Sequence, residues 1–290
     1  MSEQIIKPHS ATFLATCPDG PGLIASIAQL LYQKNINVIA SDQYSTDHRG
    51  GQFFMRMVLD LNQDSIDHKE LEKALAEVAN RLNMRWQLTY SNEVKRLAIL
   101  VSRYDHCLMD LLWRWQSGEL AVTIPFVISN HLDLKSRVES FGIPYYHFPI
   151  TPETKAQQEA EILSLLKDKV DFIVLARYMQ ILSASFIEHY PNKIINIHHS
   201  FLPAFMGANP FAMAHKRGVK MIGATGHYVT SDLDAGPIIA QDVTQITHRD
   251  TVEDLKRTSR DTERTVLARA VRWHIEDRII VHGNRTIIFT

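Results

Sequence analysis

The 290-residue chain lacks several features that mark other classes of protein. It has no uninterrupted apolar run of the roughly 18 residues that a membrane-spanning helix needs. Its first ten residues, MSEQIIKPHS, have neither the basic start nor the apolar stretch of a secretory signal peptide. We therefore expect a cytoplasmic protein that does not enter a membrane.

Cysteine is scarce, and neither sign of charge dominates. Cys17 and Cys107 are the only cysteines, too few for a disulfide framework and not spaced for a zinc site, so we expect both to be buried in a reducing compartment. Lys plus Arg total 31 against 32 for Asp plus Glu, so no overall field attracts nucleic acid or an anionic membrane. With 45% hydrophobic residues, the chain can bury a core in each of two domains.

The first ninety residues show apolar spacing that predicts strand, helix, strand, strand, helix and strand. The two middle strands are joined by a turn at 47–51 (DHRGG) and should form a hairpin. This order is the ferredoxin-like βαββαβ plan. The predicted strands are 11–17, 36–44, 52–61 and 84–90, and the predicted helices are 22–34, with Leu23, Ile24, Ile27, Leu30 and Leu31 on one face, and a second beginning near Asp67.

From Lys95 onward, predicted strands alternate with helices, which is typical of a mostly parallel sheet covered on both faces. Residues 170–176 (VDFIVLA) are nearly all apolar and predict a central strand. A long helix over about 251–278 precedes a terminal hairpin. We therefore predict an α/β chain of two domains, 1–90 and 91–290. The predicted strands of the second domain are 97–102, 122–129, 145–149, 170–176, 194–198 and 221–230.

A dinucleotide-binding motif is suggested by Gly20-Pro21-Gly22-Leu23-Ile24-Ala25, but we reject it. Pro21 lacks the N–H that a phosphate cradle needs, and a hairpin stands where that motif requires a βαβ crossover. The segment 17–23 (CPDGPGL) instead resembles the opening of ACT regulatory domains, which share the βαββαβ order and commonly bind a small amino acid at a subunit interface. The resemblance implies a homo-oligomer formed through this domain and an effector such as glycine or methionine, held by Asp19, Gly20, Gly22 and Leu23. A domain that only mediates dimerisation is the alternative.

Polar residues with complementary chemistry stand at the end of one strand and just after another. Strand alternation places Asn196 and His198 on the same face at the carboxyl end of strand 194–198, where open α/β sheets bind ligands. An Asn amide can donate to a carbonyl oxygen that becomes negative, and an imidazole moves protons near neutral pH. Asp234 supplies a carboxylate on a turn after the strand that carries His227. A metal hydrolase is disfavoured, because no ligand spacing such as H-E-x-x-H is present.

Three features together resemble the catalytic core of the folate-dependent formyltransferase family over about 95–237. They are NIHHSFLP at 196–203, HYVTSDLDAGPII at 227–239 and the thirty-six positions from His198 to Asp234. The resemblance implies an open, Rossmann-like formyltransferase domain with Asn196, His198 and Asp234 as its catalytic residues. It also implies a folate pocket formed by Met179, Gln180, Leu182, His227, Ser231, Asp232 and Leu233.

The loop after the first strand of this domain separates transfer from hydrolysis. Family members that act on glycinamide ribonucleotide have a glycine-rich loop there, whose N–H groups can hold the acceptor's phosphate. Residues 102–110 (SRYDHCLMD) contain no glycine, so we expect their side chains to fill that site and leave water as the nucleophile.

With the ACT-like domain, RYDHCL, ARYMQ and NIHHSFLPAF, the chain resembles the deformylase branch of this family. The resemblance implies hydrolysis of 10-formyltetrahydrofolate to formate and tetrahydrofolate, without metal or cofactor, to supply formate for purine biosynthesis and to balance one-carbon pools. A formyltransferase with an unidentified amine acceptor is the alternative. A catalytically silent amino-acid sensor is less favoured, because the catalytic residues are intact.

Overall fold

The structure, a computed structural model, describes residues 9–47, 50–61, 67–204 and 210–290. The predicted turn at 47–51 includes positions 48 and 49, which lie outside the described residues. The chain forms two compact units. The first contains the described residues up to Val94 with 277–280 and 287–290, and the second contains 95–276 with 281–286.

The first unit has the predicted ferredoxin-like order. Its antiparallel sheet has the strand order β2-β3-β1-β4, so the central strand β1 pairs with both β3 and β4. The strands are β1 (Ser10–Pro18), β2 (Asn37–Ser45), β3 (Gln52–Asp60) and β4 (Arg85–Tyr90), and the helices are α1 (Leu23–Gln33) and α2 (His68–Arg81).

The core of the first unit lies between its sheet and helices. Phe13 and Met55 from the sheet pack with Ile27 of α1 and Leu75 of α2, all fully buried. Ile24, predicted to share the buried face of α1, is instead exposed. It lies one residue past Leu23, about 100° further round the helix, and so reaches the edge of the apolar stripe.

The second unit is built on a mostly parallel seven-stranded sheet with the order β11-β10-β9-β8-β5-β6-β7. Strands β5 to β9 run parallel, whereas β10 is antiparallel to both of its neighbours. The strands are β5 (Leu97–Val101), β6 (Val127–Ser129), β7 (Tyr145–His147), β8 (Phe172–Leu175), β9 (Ile194–His198), β10 (Met221–Tyr228) and β11 (Ile238–Gln245).

Helices separate most of these strands, and the central strands are buried as predicted. All residues of β5 and β8 are buried. The helices are α3 (His106–Gln116), α4 (Lys135–Glu139), α5 (Lys155–Leu166), α6 (Ala184–Glu188), α7 (Pro210–Arg217) and α8 (Val252–Ile275), and a terminal hairpin follows with β12 (Ile279–His282) and β13 (Arg285–Ile288). The longest helix, α8, begins with a reciprocal capping box between Thr251 and Asp254.

Two sequence predictions for the second unit differ from the structure. Strand β11 was not predicted; it lies at the sheet edge, and the consecutive polar residues Gln241 and Asp242 interrupt its apolar pattern. The predicted strand 122–129 is regular only from Val127, because Pro125 lacks the N–H that a ladder requires. Both cysteines are buried and free, as expected. Within the described residues, no helix is both long and apolar enough to cross a membrane.

Candidate active site

The antiparallel pairing of β9 and β10 brings the predicted site residues together. Asn196 lies opposite His227, and His198 lies opposite Thr225. The pairing of β10 with β11, on its other side, has a register shift between Gly226 and His227. A bulge of this kind re-aims the side chains beside it, and His227 stands at this one.

The backbone after His198 is fixed by the buried hydroxyl of Thr225. This hydroxyl donates to the Ser200 carbonyl oxygen (2.9 Å) and accepts from the Leu202 N–H (3.0 Å). The Gln241 amide donates to the same hydroxyl (2.9 Å) and to the Leu202 carbonyl (3.0 Å). This network fixes residues 200–202, where the chain leaves β9 directly after His198 and His199.

A tight turn between β10 and β11 presents Asp234. Asp234 itself has a left-handed backbone (φ 54°), and the Tyr228 N–H donates to the Pro237 carbonyl across the turn (2.9 Å). Gly236 passes so close to β10 that a Cβ there would lie 1.8 Å from the Tyr228 carbonyl oxygen. Only glycine fits this approach, so the Asp-Ala-Gly-Pro sequence places the carboxylate against β9.

Asp234 and His198 form a hydrogen-bonded pair. Nδ1 of His198 lies 3.2 Å from Oδ2 of Asp234. The hydrogen bond from His198 lowers the pKa of Asp234, whose carboxylate is therefore ionised at neutral pH. Because an ionised carboxylate only accepts, Nδ1 carries the ring proton. Nε2 of His198 is buried and has no hydrogen-bond partner among the described residues, so its lone pair is unused.

Asn196 is oriented by His227, which is only 2% exposed. Burial lowers the pKa of His227, which favours the neutral ring. Its Nδ1 donates to the Tyr228 carbonyl (3.0 Å), and its Nε2 accepts from the Asn196 amide (3.2 Å). The Asn196 amide has a second N–H, which can donate to a carbonyl oxygen of a ligand. His227 also lies 3.7 Å from Asp234.

The residues predicted to bind folate lie in two segments of this unit. Met179 is exposed, Gln180 is partly buried and Leu182 is buried after β8, and the Met179 N–H already donates to the Ser102 hydroxyl (3.0 Å). Of the backbone groups of Met179, the carbonyl is therefore the one open to a ligand. Ser231, Asp232 and Leu233 are exposed on the turn that carries Asp234.

Two side chains of the glycine-free loop 102–110, Tyr104 and His106, border a cavity. This cavity of about 340 Å³ is bordered by Tyr104, His106, Arg177, Met179 and His199, among others. The ring centroid of His199 lies 5.1 Å from that of His198, so the cavity is next to the candidate catalytic residues. That the side chains of this loop fill the acceptor's phosphate site stays a prediction.

A buried charged network beneath this cavity was missed from the sequence. Glu263 of α8 accepts from Ser259 (2.8 Å), contacts Nε2 of His106 (2.8 Å) and lies 3.6 Å from Nε of Arg177. Burial alone would raise the pKa of Glu263, but the His106 hydrogen bond and the Arg177 charge lower it overall. The available signal was a glutamate on the apolar face of α8, beside Val266 and Leu267.

One group of possible metal ligands occurs among the described residues: His106, Cys107 and Glu263, whose ligand atoms lie within 4.8 Å of one another. Burial raises the pKa of the Cys107 thiol well above its ordinary value, which disfavours the thiolate that binds metals. The nearby Arg177 cation already neutralises Glu263. This chemistry fits an ion-pair network better than a metal centre.

The predicted effector residues of the first unit share a separate cavity. Asp19, Gly20, Gly22 and Leu23 line about 460 Å³ together with Gln43 and Tyr44 of β2. Gly22 has a left-handed backbone (φ 84°) where α1 begins, which only glycine adopts without strain. The contribution of β2 was not predicted, because it depends on a strand that follows α1 in the chain.

Comparisons with known proteins identify both units. The formyl transferase family matches residues 95–271, and the ACT domain matches residues 11–80. A formyltetrahydrofolate deformylase from Synechocystis sp. is 53% identical over 281 residues, which cover 97% of this chain and 98% of the relative. The chain belongs to the formyltetrahydrofolate deformylase family. The predicted fold class, an ACT domain followed by a formyltransferase domain, is thereby confirmed.

Solved structures separate deformylases from transferases by length. The crystal structure of a formyltetrahydrofolate deformylase from Pseudomonas syringae pv. tomato has a TM-score of 0.95 at 44% identity and covers 99% of this chain and 96% of its own. A glycinamide ribonucleotide transformylase from Symbiobacterium toebii has a TM-score of 0.65 at 30% identity and covers 70% of this chain but 98% of its own. The deformylase likeness therefore includes both units, whereas the transformylase spans a smaller part of the chain.

Proposed function

We propose that this member of the deformylase family hydrolyses the formyl C–N bond of 10-formyltetrahydrofolate to give formate and tetrahydrofolate. The observation that carries the proposal is the His198–Asp234 pair, which leaves Nε2 of His198 buried and without a partner among the described residues. The deformylase relatives match this chain over nearly its whole length.

The proposed reaction uses each group for one task. The free N–H of Asn196 donates to the formyl oxygen and stabilises the negative charge that develops there. Nε2 of His198 takes a proton from water as the water oxygen attacks the formyl carbon, and Asp234 stabilises the resulting imidazolium. His198 then returns the proton to N10 as the C–N10 bond breaks. The formate keeps one oxygen from the formyl group and gains the other from water.

We further propose that the folate lies between two segments of the second unit. Met179, Gln180 and Leu182 after β8 would form one wall, and Ser231, Asp232 and Leu233 the other. His227 would support this pocket through its contact with Asn196. In support, both segments belong to the part of the chain that matches formyl transferases.

We propose that residues 1–90 form a regulatory domain and that residues 91–290 form the catalytic domain. The cavity lined by Asp19, Gly20, Gly22 and Leu23 would bind an amino-acid effector, glycine or methionine. We also propose that the protein forms a homo-oligomer through the first unit and is located in the cytoplasm. The formate that it releases would supply purine biosynthesis. The match to ACT domains, which commonly bind amino acids, supports the regulatory part.

A formate-release assay tests the proposed function. Purified enzyme is incubated with 10-formyltetrahydrofolate and no amine, and formate is measured with and without glycine or methionine. Hydrolysis predicts stoichiometric formate and tetrahydrofolate without any acceptor. If formyl groups leave the folate only when an amine such as glycinamide ribonucleotide is added, the chain is a transferase. A change in rate with glycine or methionine supports regulation by an amino acid, and an unchanged rate contradicts it.

A further inference from the structure

The cavity beside His199 has no role in the proposed chemistry and is called the Arg177 cavity. Its residues include Tyr104, His106, Arg177, Met179, His199 and Arg260. It lies next to His198 through the adjacent His199 ring and shares Met179 with the proposed folate pocket. Formate, released from N10 when the C–N10 bond breaks, therefore has an adjacent space to enter.

Arg177 is a buried cation with unused hydrogen-bonding capacity. Its side chain is 9% exposed, and its guanidinium stacks over the Tyr104 ring with 5.1 Å between Cζ and the ring centroid. The 3.6 Å ion pair to Glu263 is too long for a hydrogen bond, and buried Nε has no partner within the described part of the chain. A guanidinium carries five N–H donors, so an anionic ligand in this cavity would satisfy donors that the protein leaves open.

The charges around the cavity favour a small anion. Three cationic residues border it, Arg177, Lys256 and Arg260, against two carboxylates, Glu253 and Glu263. Glu253 is paired with Lys256 (2.7 Å), and Glu263 is held by His106 and Ser259. Arg260 has no ion pair to any described residue. The three cations and two carboxylates leave one net positive charge at the cavity, which fits a ligand with a single negative charge.

His199 adds a neutral polar group to the same wall. Burial, and next the positive charge of Arg177, lower the pKa of His199 to about 4, so the ring is neutral at neutral pH. A neutral imidazole offers one donor and one acceptor and does not repel Arg177.

We propose that the Arg177 cavity is a product site that binds formate after the C–N10 bond breaks. The two oxygens of a carboxylate match the paired N–H groups of a guanidinium. A volume of about 340 Å³ holds formate with several water molecules, each of which occupies about 30 Å³ in the liquid. This assignment rests on the proposed hydrolysis, because it concerns the product of that reaction.

The experiment measures formate binding to the intact chain without folate, so it does not depend on turnover. ¹³C-formate is titrated with enzyme, and its NMR line width is followed, with chloride added to constant ionic strength. The variants are Arg177→Gln and Arg260→Gln, with Arg257→Gln as the matched control. Arg257 lies on α8 near Arg260 and pairs with Asp254 outside the cavity. Circular dichroism establishes that each variant is folded.

The expected result is saturable broadening by the wild-type enzyme, weakened about tenfold or more by Arg177→Gln, as the loss of a charged hydrogen bond predicts. Arg260→Gln should weaken binding less, and Arg257→Gln should leave it unchanged. Non-saturable broadening by the wild-type enzyme overturns the proposal. If the Arg177→Gln variant does not fold, the Arg260→Gln variant decides: formate binding equal to that of Arg257→Gln also overturns the proposal. The Asp234→Asn variant separates the proposed hydrolysis from the proposed product site. Loss of hydrolysis with intact formate binding in this variant supports both proposals. Hydrolysis by the wild-type enzyme without formate binding contradicts the product site alone.

Discussion

Nδ1 of His198 lies 3.2 Å from Oδ2 of Asp234, while the other ring nitrogen of His198 is buried and free of hydrogen bonds to the described residues. The carboxylate therefore holds the imidazole through Nδ1 and leaves Nε2 without a partner. The proposed mechanism uses this arrangement: Nε2 of His198 transfers the proton, and Asp234 orients the ring.

Replacement of Asp234 by Asn should abolish most turnover while folate binding persists. The neutral amide keeps the shape of the carboxylate but neither fixes the Nδ1-protonated ring nor stabilises an imidazolium. We expect a decrease in kcat of about a hundred to ten thousandfold. Steady-state kinetics and equilibrium folate binding check this, with Asp261→Asn as the control, because Asp261 is an exposed partner of Arg264 on α8. A parallel loss of folate binding would make Asp234 a structural or binding residue.

Replacement of Asn196 by Ala should remove the donor to the formyl oxygen. Loss of one such donor lowers kcat by about a hundred to a thousandfold. Because the interaction strengthens only as the oxygen becomes negative, KM should change little. Kinetics at several folate concentrations separate the two parameters. An increase in KM with kcat unchanged would show that Asn196 binds the ground state and does not stabilise the transition state.

The buried neutral ring of His227 should make folding stability depend on pH. Burial lowers its pKa in the folded state, so below the unfolded value of about 6.5 the unfolded chain binds a proton that the folded chain does not. The contribution of the neutral His227 ring to the free energy of unfolding is fully present above about pH 6.5. It decreases as pH falls, by at most about 1.4 kcal/mol per pH unit. Urea unfolding from pH 7 downward should give a shallower slope for His227→Gln than for wild type. Identical slopes would contradict a lowered pKa of His227 in the folded state.

The buried carboxylate of Glu263 should be more important for stability than an exposed one on the same helix. Glu263→Ala leaves His106 and Arg177 without their shared partner and should lower the free energy of unfolding by about 3–5 kcal/mol. Glu253→Ala removes an exposed pair with Lys256 and should cost about 0–1 kcal/mol. Denaturant unfolding measures both. Similar costs for the two variants would contradict the network.

The sequence was sufficient for features that depend on local pattern. Apolar runs such as 170–176 identified the buried strands, and Asn196 and His198 stood out as polar residues at the end of one of them. The Asp-Ala-Gly-Pro segment predicted a turn at Asp234, and the resemblance to formyltransferases predicted its catalytic role, which stays a prediction. The βαββαβ order of the first unit and the mostly parallel sheet of the second were also predicted, since short connections restrict the possible topologies.

Features that depend on distant contacts were not predictable. His106 and Glu263 are 157 positions apart, and nothing in either segment indicates that α8 brings them together. Strand β11 lies at the sheet edge and has Gln241 and Asp242 side by side, so its sequence lacks the alternation that predicts a strand. The tautomers of His198 and His227 follow from their partners, Asp234 and the Tyr228 carbonyl, which only the folded chain defines.

The central claim is that water, activated by His198, attacks the formyl carbon. Its most direct test is the oxygen content of the product when the enzyme acts on 10-formyltetrahydrofolate in H₂¹⁸O without an amine. Hydrolysis predicts formate with one ¹⁸O atom, formed at a rate that falls with Asp234→Asn. Unlabelled formate, or no formate until an amine acceptor is supplied, would contradict the account.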